Sequence, residues 1–252
     1  MSYASDLTDA QWQRIKFFFA RQTFRKHTPR HIVDALLYVS KTGCQWRFLP
    51  TNYPPWQTAY YHFRRWIASG LWRRLLNALR RAARLRAGRH TSPSVAIIDS
   101  QSVKTTQCGG PRGYDGGKQV TGRKRHILVD TMGFLLAILV HPANEGDSQQ
   151  APWLLKRLAG SAERLQVIYA DEGYRGTPPG LVARVFGWAL HIVRRSPQQK
   201  GFTLLPKRWI VERTFAWLQG YRRCSKDYEH LPEVSEAMVQ LAAIRMLIRR
   251  VG

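Results

Sequence analysis

Three acidic side chains in this sequence stand where acids are costly. Asp99 directly follows Ala96-Ile97-Ile98, and Asp171 directly follows Val167-Ile168-Tyr169-Ala170, so each interrupts a short apolar run of strand character. The pattern predicts that both sit at strand ends. An ionised carboxylate there gains nothing from the core and costs desolvation; it is either solvated at the rim, where Asp commonly initiates a turn, or offset by a cation. Glu212 lies beside Val211, Phe215 and Leu218 on a predicted helix over 206–219 and shares its polar stripe with Arg208 and Gln219. A surface pair of Arg208 with Glu212 at i,i+4, worth only about 0.3–0.5 kcal/mol, is the alternative reading of that residue.

If the two aspartates lie on adjacent strands, their mutual repulsion reaches several kcal/mol at an effective dielectric near ~20, and a divalent ion is the natural compensator. Oxygen-only ligation suits Mg²⁺ or Mn²⁺, which retain water and bind phosphates. Two such ions, about 3.5–4 Å apart, would activate a water or a 3′-hydroxyl on one side of a phosphate and stabilise the leaving oxygen on the other. Asp115, Asp130, Asp147 and Glu172 compete for these roles and read as supporting or structural groups. His126, His141 and His191 fall in strand-like segments and read as core or edge histidines.

The elements that must position these residues change character near residue 90. Before it the periodicity is helical. Thr8 with Gln11 forms a capping-box pattern, opening a helix through Trp12, Ile15, Phe18 and Phe19. Thr28-Pro29 starts a helix over 29–42 that Gly43 stops; a third begins near Gln57 and a fourth runs over 71–87. Two helices joined by a turn, the second rich in Arg, fit a helix-turn-helix variant, and a plain three-helix bundle predicts the same pattern. Beyond residues 88–93 come a strand over 95–98, a glycine-rich basic loop over 104–122, and strands over 124–130 and 134–140 joined at Met132-Gly133. A helix over 148–159, a strand over 166–170, a helix over 178–186, a strand over 188–193 and helices over 206–219 and 232–250 complete the chain. That order is the one of a ribonuclease H-like α/β domain with a mixed five-stranded sheet. The division expected is therefore a helical basic domain over 1–90 and a catalytic domain over 91–252.

Charge points to the partner. The 252 residues carry 40 Lys and Arg against 16 Asp and Glu, a formal net charge of +24, and 44% apolar residues exclude a largely disordered chain. A polyanion is the expected partner, with the excess concentrated in the first 90 residues. Cys44, Cys108 and Cys224 are isolated, so neither a zinc site nor a disulfide framework is indicated. No apolar run is long enough to cross a bilayer and the N-terminus lacks the plan of a signal peptide, so a cytoplasmic location is expected. GxxxxGK[ST] is missing from the glycine-rich loop, which leaves nucleotide hydrolysis unsupported; it reads instead as a mobile basic loop that grips DNA.

Seven stretches carry a resemblance: LTDAQW at 7–12, TGCQWRFLP at 42–50, PPWQTAYYHFRRW at 54–66, IIDSQSVKTT at 97–106, GRKRHILVDTMG at 122–133, ADEGYRG at 170–176 and VERTFAWL at 211–218. In them the chain resembles, nearly end to end, the DDE transposases of bacterial insertion sequences, specifically the insertion sequence 5 branch. The resemblance implies that Asp99, Asp171 and Glu212 are the acidic triad, holding two Mg²⁺ or Mn²⁺ ions, with Arg208 one turn before the Glu. It implies cleavage at terminal inverted repeats, joining of the freed 3′-hydroxyl to double-stranded target DNA, and work as a homodimer or larger assembly. The family's extended motif has a Tyr three residues before that Arg and a basic residue seven after the Glu; this chain has Leu205 and Gln219, with Arg222 and Arg223 as candidate substitutes. Expected DNA contacts are Arg64, Arg65, Arg73, Arg74, Lys104, Arg112, Lys118, Arg123, Lys124, Arg208, Arg222 and Arg223. A DNA-binding repressor derived from a transposase and a junction-resolving nuclease are the competing readings.

Overall fold

The computed structural model describes residues 3–20, 26–107, 109–158, 160–193 and 207–251. Residue 108 and the segment 194–206, which includes Leu205 and the expected start of the 206–219 helix, lie outside the described residues.

Local signals set the N-terminal helices. Helix α1 (Asp9–Ile15) opens on a capping box in which the Thr8 hydroxyl accepts from the Gln11 N–H and the Gln11 side chain accepts from the Thr8 N–H. Helix α2 (Pro29–Thr42) has Thr28 as its cap, proline at its first turn and Gly43 in the left-handed region at its end. Helices α3 (Trp56–Ala68) and α4 (Leu71–Arg86) follow. Trp66 of α3 meets Trp72 of α4 edge to face with ring centroids 5.3 Å apart, and Phe19, in the turn after α1, meets Trp66 the same way at 5.0 Å.

Six strands then form one mixed sheet: β1 (Val95–Lys104), β2 (Gly113–Asp115), β3 (Val120–Asp130), β4 (Leu135–Pro142), β5 (Val167–Ala170) and β6 (Ala189–Ile192). Helix α5 (Asp147–Lys156) precedes β5 and α6 (Pro179–Phe186) precedes β6; α7 (Arg208–Gln219) and α8 (Pro232–Val251) close the chain. The main order is β4-β3-β1-β5-β6, with β3 antiparallel to β1 and β4, and β1, β5 and β6 parallel. The sixth strand, β2, corrects the expected count of five. It lies inside the glycine-rich segment, pairing Gly113 with Gly122 of β3.

That segment is docked rather than a free loop. A Cβ on Gly110 would stand 1.9 Å from the His230 carbonyl oxygen, and Asp115 accepts hydrogen bonds from the Ser102 hydroxyl and from the backbone of Gly117 and Lys118. The second correction concerns β1, which runs on through Asp99 to Lys104 because β3 continues beside it, pairing Asp99 with Ile127. Asp99 is thus within its strand, not at the end. It is nonetheless at a rim, since the parallel neighbour β5 stops at Ala170.

Period-two alternation along the strands feeds two cores. Ile98, Leu128 and Ile168 point toward α5 and α6 with Leu154, Leu155 and Val182. Ile97, Ile127 and Val129 point the other way, into a larger core with Val211 and Phe215 of α7, Leu241 and Ile248 of α8, and Leu36, Trp66 and Leu75 of the N-terminal helices. The connector at residues 87–94 marks the change of pattern, yet apolar packing runs across it.

Candidate active site

Strand register brings the two aspartates together. Ile97 pairs with Tyr169 in the parallel β1–β5 ladder, so two residues further on Asp99 and Asp171 stand side by side just past the end of β5. Helix α7 crosses in front of them and delivers Glu212 from the opposite side. All three carboxylates surround one cation: Arg208 Nη2 is 3.8 Å from Asp99 Oδ2, 3.5 Å from Asp171 Oδ2 and 3.7 Å from Glu212 Oε1. These separations are ion pairs without a formed hydrogen bond.

The remaining oxygens of the aspartates are oriented locally. Asp99 Oδ1 accepts from the Ser100 N–H at 2.7 Å, and Asp171 Oδ1 accepts from the Gly173 N–H at 2.9 Å. Burial, then the Asp171 charge, push the Asp99 carboxyl up to about 7, against the pull of the Ser100 N–H and Arg208. With all three acids ionised the cluster is two positive charges short. Among the described residues no three His, Cys, Asp or Glu side chains already form a metal-holding group. The donor chemistry nevertheless fits a hard divalent ion, being oxygen-only, under-neutralised and already gathered around one positive charge.

A supporting layer lies beside the triad, with Asp147 in it as a supporting group. Asp147, at the first turn of α5, is 3.1 Å from Lys124 Nζ and 3.3 Å from His126 Nε2. Against the upward push of burial, His126 and Lys124 hold it well below the usual carboxylate range. A Cβ on Gly173 would stand 3.0 Å from Asp171 Oδ1 and 3.3 Å from Asp147 Oδ2, so any other residue there would press on both acids. His141, packed on His126 with ring centroids 4.9 Å apart, is pushed down to about 4 by burial and by that neighbour. Tyr174, fully buried, is raised well above its ordinary value by burial and by the charges of Asp99, Asp147 and Asp171.

The expected DNA contacts divide sharply. Arg65, Arg73, Arg74, Lys104, Arg112, Lys118 and Arg222 are exposed, and Arg64 is half-buried 3.7 Å from Glu233. Arg123 corrects the expectation: it is fully buried, donating to the carbonyls of Pro111, Glu229 and His230 and to Asp227. Arg223 is likewise buried, spent on Glu229 and the Cys44 carbonyl. Lys124 is turned inward to Asp147 and the Glu145 carbonyl. Arg208 faces the triad. No helix of the described residues is long and apolar enough to cross a membrane.

Comparison with known proteins identifies the family. Residues 90–247 match the family model described as "Transposase DDE domain", and residues 7–76 match "Putative transposase of IS4/5 family". The "Putative transposase for insertion sequence element IS402" of Burkholderia cepacia is 32% identical over 181 residues, covering 67% of this chain and 84% of that protein. "Uncharacterized protein y4sN" of Sinorhizobium fredii (strain NBRC 101917 / NGR234) is 32% identical over 117 residues, covering 44% of this chain and 87% of that one. The solved "Mos1 transposase paired-end complex with left transposon end" is 12% identical over 73% of this chain and 67% of its own, with a TM-score of 0.24, too distant to carry any argument. The family match spans more than half of the sequence and includes all three clustered acids: the chain belongs to the DDE-domain transposases and is a transposase of an insertion sequence.

Proposed function

We propose that this transposase binds the terminal inverted repeats of its element, cuts DNA there by divalent-metal-dependent hydrolysis, and joins the freed 3′-hydroxyl ends to target DNA. The observation that carries the reading is the convergence of Asp99, Asp171 and Glu212 on one positive charge at the rim of the sheet. Two Mg²⁺ or Mn²⁺ ions bound there would polarise the scissile phosphate and lower the pKa of the attacking hydroxyl. Each aspartate has one oxygen fixed by a backbone N–H, which leaves the other directed at the cation position. Glu212 is the most exposed of the three and meets DNA from the solvent side. Arg208 balances part of the negative charge until the ions and the phosphates arrive.

Residues 1–90 form the DNA-binding part in this reading and 91–252 the catalytic part. Exposed Arg65, Arg73 and Arg74 on α3 and α4, with Lys104, Arg112, Lys118 and Arg222, supply phosphate contacts that need no base sequence. The helix-turn-helix assignment of α2 and α3, insertion sequence 5 membership, assembly as a homodimer or larger on paired ends, and action in the bacterial cytoplasm belong to the same proposal. An Asp99→Asn variant tests it on linear DNA carrying the element's ends in Mg²⁺. Nicking and joining should fall at least ~100-fold while end binding survives; retained strand transfer overturns the assignment.

A further inference from the structure

Helix α7 has a second working face. One stripe carries Arg208 and Glu212; the adjacent one carries Trp209, Arg213 and Trp217 at i, i+4 and i+8. The Arg213 guanidinium lies between two indoles, 4.7 Å from the Trp209 ring centroid and 4.5 Å from that of Trp217. Arg250, from the last turn of α8, sits 4.6 Å from the same Trp217 ring and 5.1 Å from Phe134. The result is a continuous ladder, Trp209-Arg213-Trp217-Arg250-Phe134, starting beside the triad and running about 12 Å along the helix between Trp209 and Trp217.

The ladder is held rigidly. Arg213 Nη2 donates to the Met132 carbonyl at 3.0 Å, and the Thr214 hydroxyl donates to the Gly133 carbonyl at 3.0 Å. Gly133 turns the β3–β4 hairpin at φ +81°, and a Cβ there would stand 2.8 Å from Thr214 Oγ1 and 3.1 Å from the Trp217 ring. The hairpin tip therefore fits closely against this stripe.

Its charge is unbalanced. Three buried arginines elsewhere, Arg84, Arg123 and Arg223, are matched to the carboxylates of Asp130, Asp227 and Glu229, while Arg125 and Arg245 spend their donors on backbone carbonyls and, for Arg245, the Gln11 side chain. Among the described residues no carboxylate forms an ion pair with Arg213 or Arg250, although the two share the faces of one indole. Burial and the Arg213 charge press the Arg250 guanidinium below its ordinary value, against a smaller opposing pull from Asp130. Two like charges held together on one indole, with no carboxylate in ion-pair contact among the described residues, favour an anion beside them. Stacking fixes each planar group and leaves in-plane donors for a bidentate phosphate contact.

We propose that the Trp209, Arg213, Trp217 and Arg250 ladder is a phosphate-binding rail that holds the DNA strand running along α7 away from the acidic triad. It rests on the reading of the triad as a DNA-processing site. Trp209, 40% exposed at the triad end, offers an indole face to the sugar or base that follows the reacting phosphate.

The test is the salt dependence of duplex DNA binding by the full-length protein, comparing Arg213→Gln, Arg250→Gln and their double variant with Lys156→Gln. Lys156, exposed on α5, removes the same charge from the other face of the sheet. Each rail substitution should lower the log–log slope by ~0.9 and the double by about twice that, whereas Lys156→Gln should leave it unchanged. Arg250 ends an exposed helix turn, so its variant remains informative should Arg213→Gln not fold. An unchanged slope in Arg250→Gln, with Asp99→Asn still blocking nicking, overturns the rail alone. A slope lowered equally by Lys156→Gln also overturns it, because net charge would then suffice. Absence of duplex binding by the parent protein would instead sink the DNA-processing reading beneath it.

Discussion

Asp130 and Asp99 lie on neighbouring strands of one antiparallel ladder, and the molecule treats them in opposite ways. Asp130, on β3, is fully buried and fully matched: it accepts from the backbone N–H groups of Met132 and Phe134 at 2.9 Å each and binds Arg84 Nη1 at 2.5 Å. Asp99, on β1, has one backbone N–H and a third share in a guanidinium 3.8 Å away. The same side chain is scaffold in the first place and an unmet demand for positive charge in the second. Matching, more than burial, separates the structural acids from the candidate metal-holding ones, and Asp227 and Glu229 follow Asp130 in having arginine partners.

The comparison breaks most visibly at Asp130. Arg84→Ala or Asp130→Ala leaves a buried charge without its ion-pair partner between α4 and β3, and should cost about 3–5 kcal/mol in urea unfolding. A loss under ~1 kcal/mol would mean that the pair is not the tie the geometry implies.

A change of opposite sign is expected at the triad. Burial and the Asp171 charge push the Asp99 carboxyl up to about 7, above the ordinary value of ~4. A raised carboxyl contributes stability present below pH ~4 and lost as the pH climbs through ~7. In EDTA, Asp99→Asn should therefore be more stable than the parent at pH 8, by up to about 4 kcal/mol, with the gap closing toward pH 4. Inactive yet more stable is the signature of an acid kept for chemistry. An asparagine variant that melts below the parent at pH 8 would contradict it.

The three acids of the candidate triad were more legible in the sequence than the elements around them. An acid ending an apolar run marked Asp99 and Asp171, since both signals are local, and helical spacing put Glu212 beside a buried face. The length of β1 was not legible, because what prolongs it past Asp99 is its pairing with β3, residues 120–130. Arg123 and Arg223 looked like DNA contacts for the same reason. Their partners Asp227 and Glu229 are set by tertiary packing, and a basic letter alone does not say which way it points. The glycine-rich segment likewise concealed a strand whose glycines serve close backbone approach to His230 and Asn144. Arg213 and Arg250 passed unnoticed as isolated cations, and only the fold stacks them on one indole.

Thermal melting in a Mn²⁺ titration, with no DNA present, reads the triad most directly. A ligand at ~100 times its Kd stabilises by about 2.7 kcal/mol, which for a chain of this size raises the melting temperature by roughly 5–10 °C. The parent protein should show that rise, Asp171→Asn and Asp99→Asn should lose most of it, and Asp115→Asn should keep it. An undiminished rise in both triad variants would contradict the claim that Asp99, Asp171 and Glu212 are gathered to hold divalent ions.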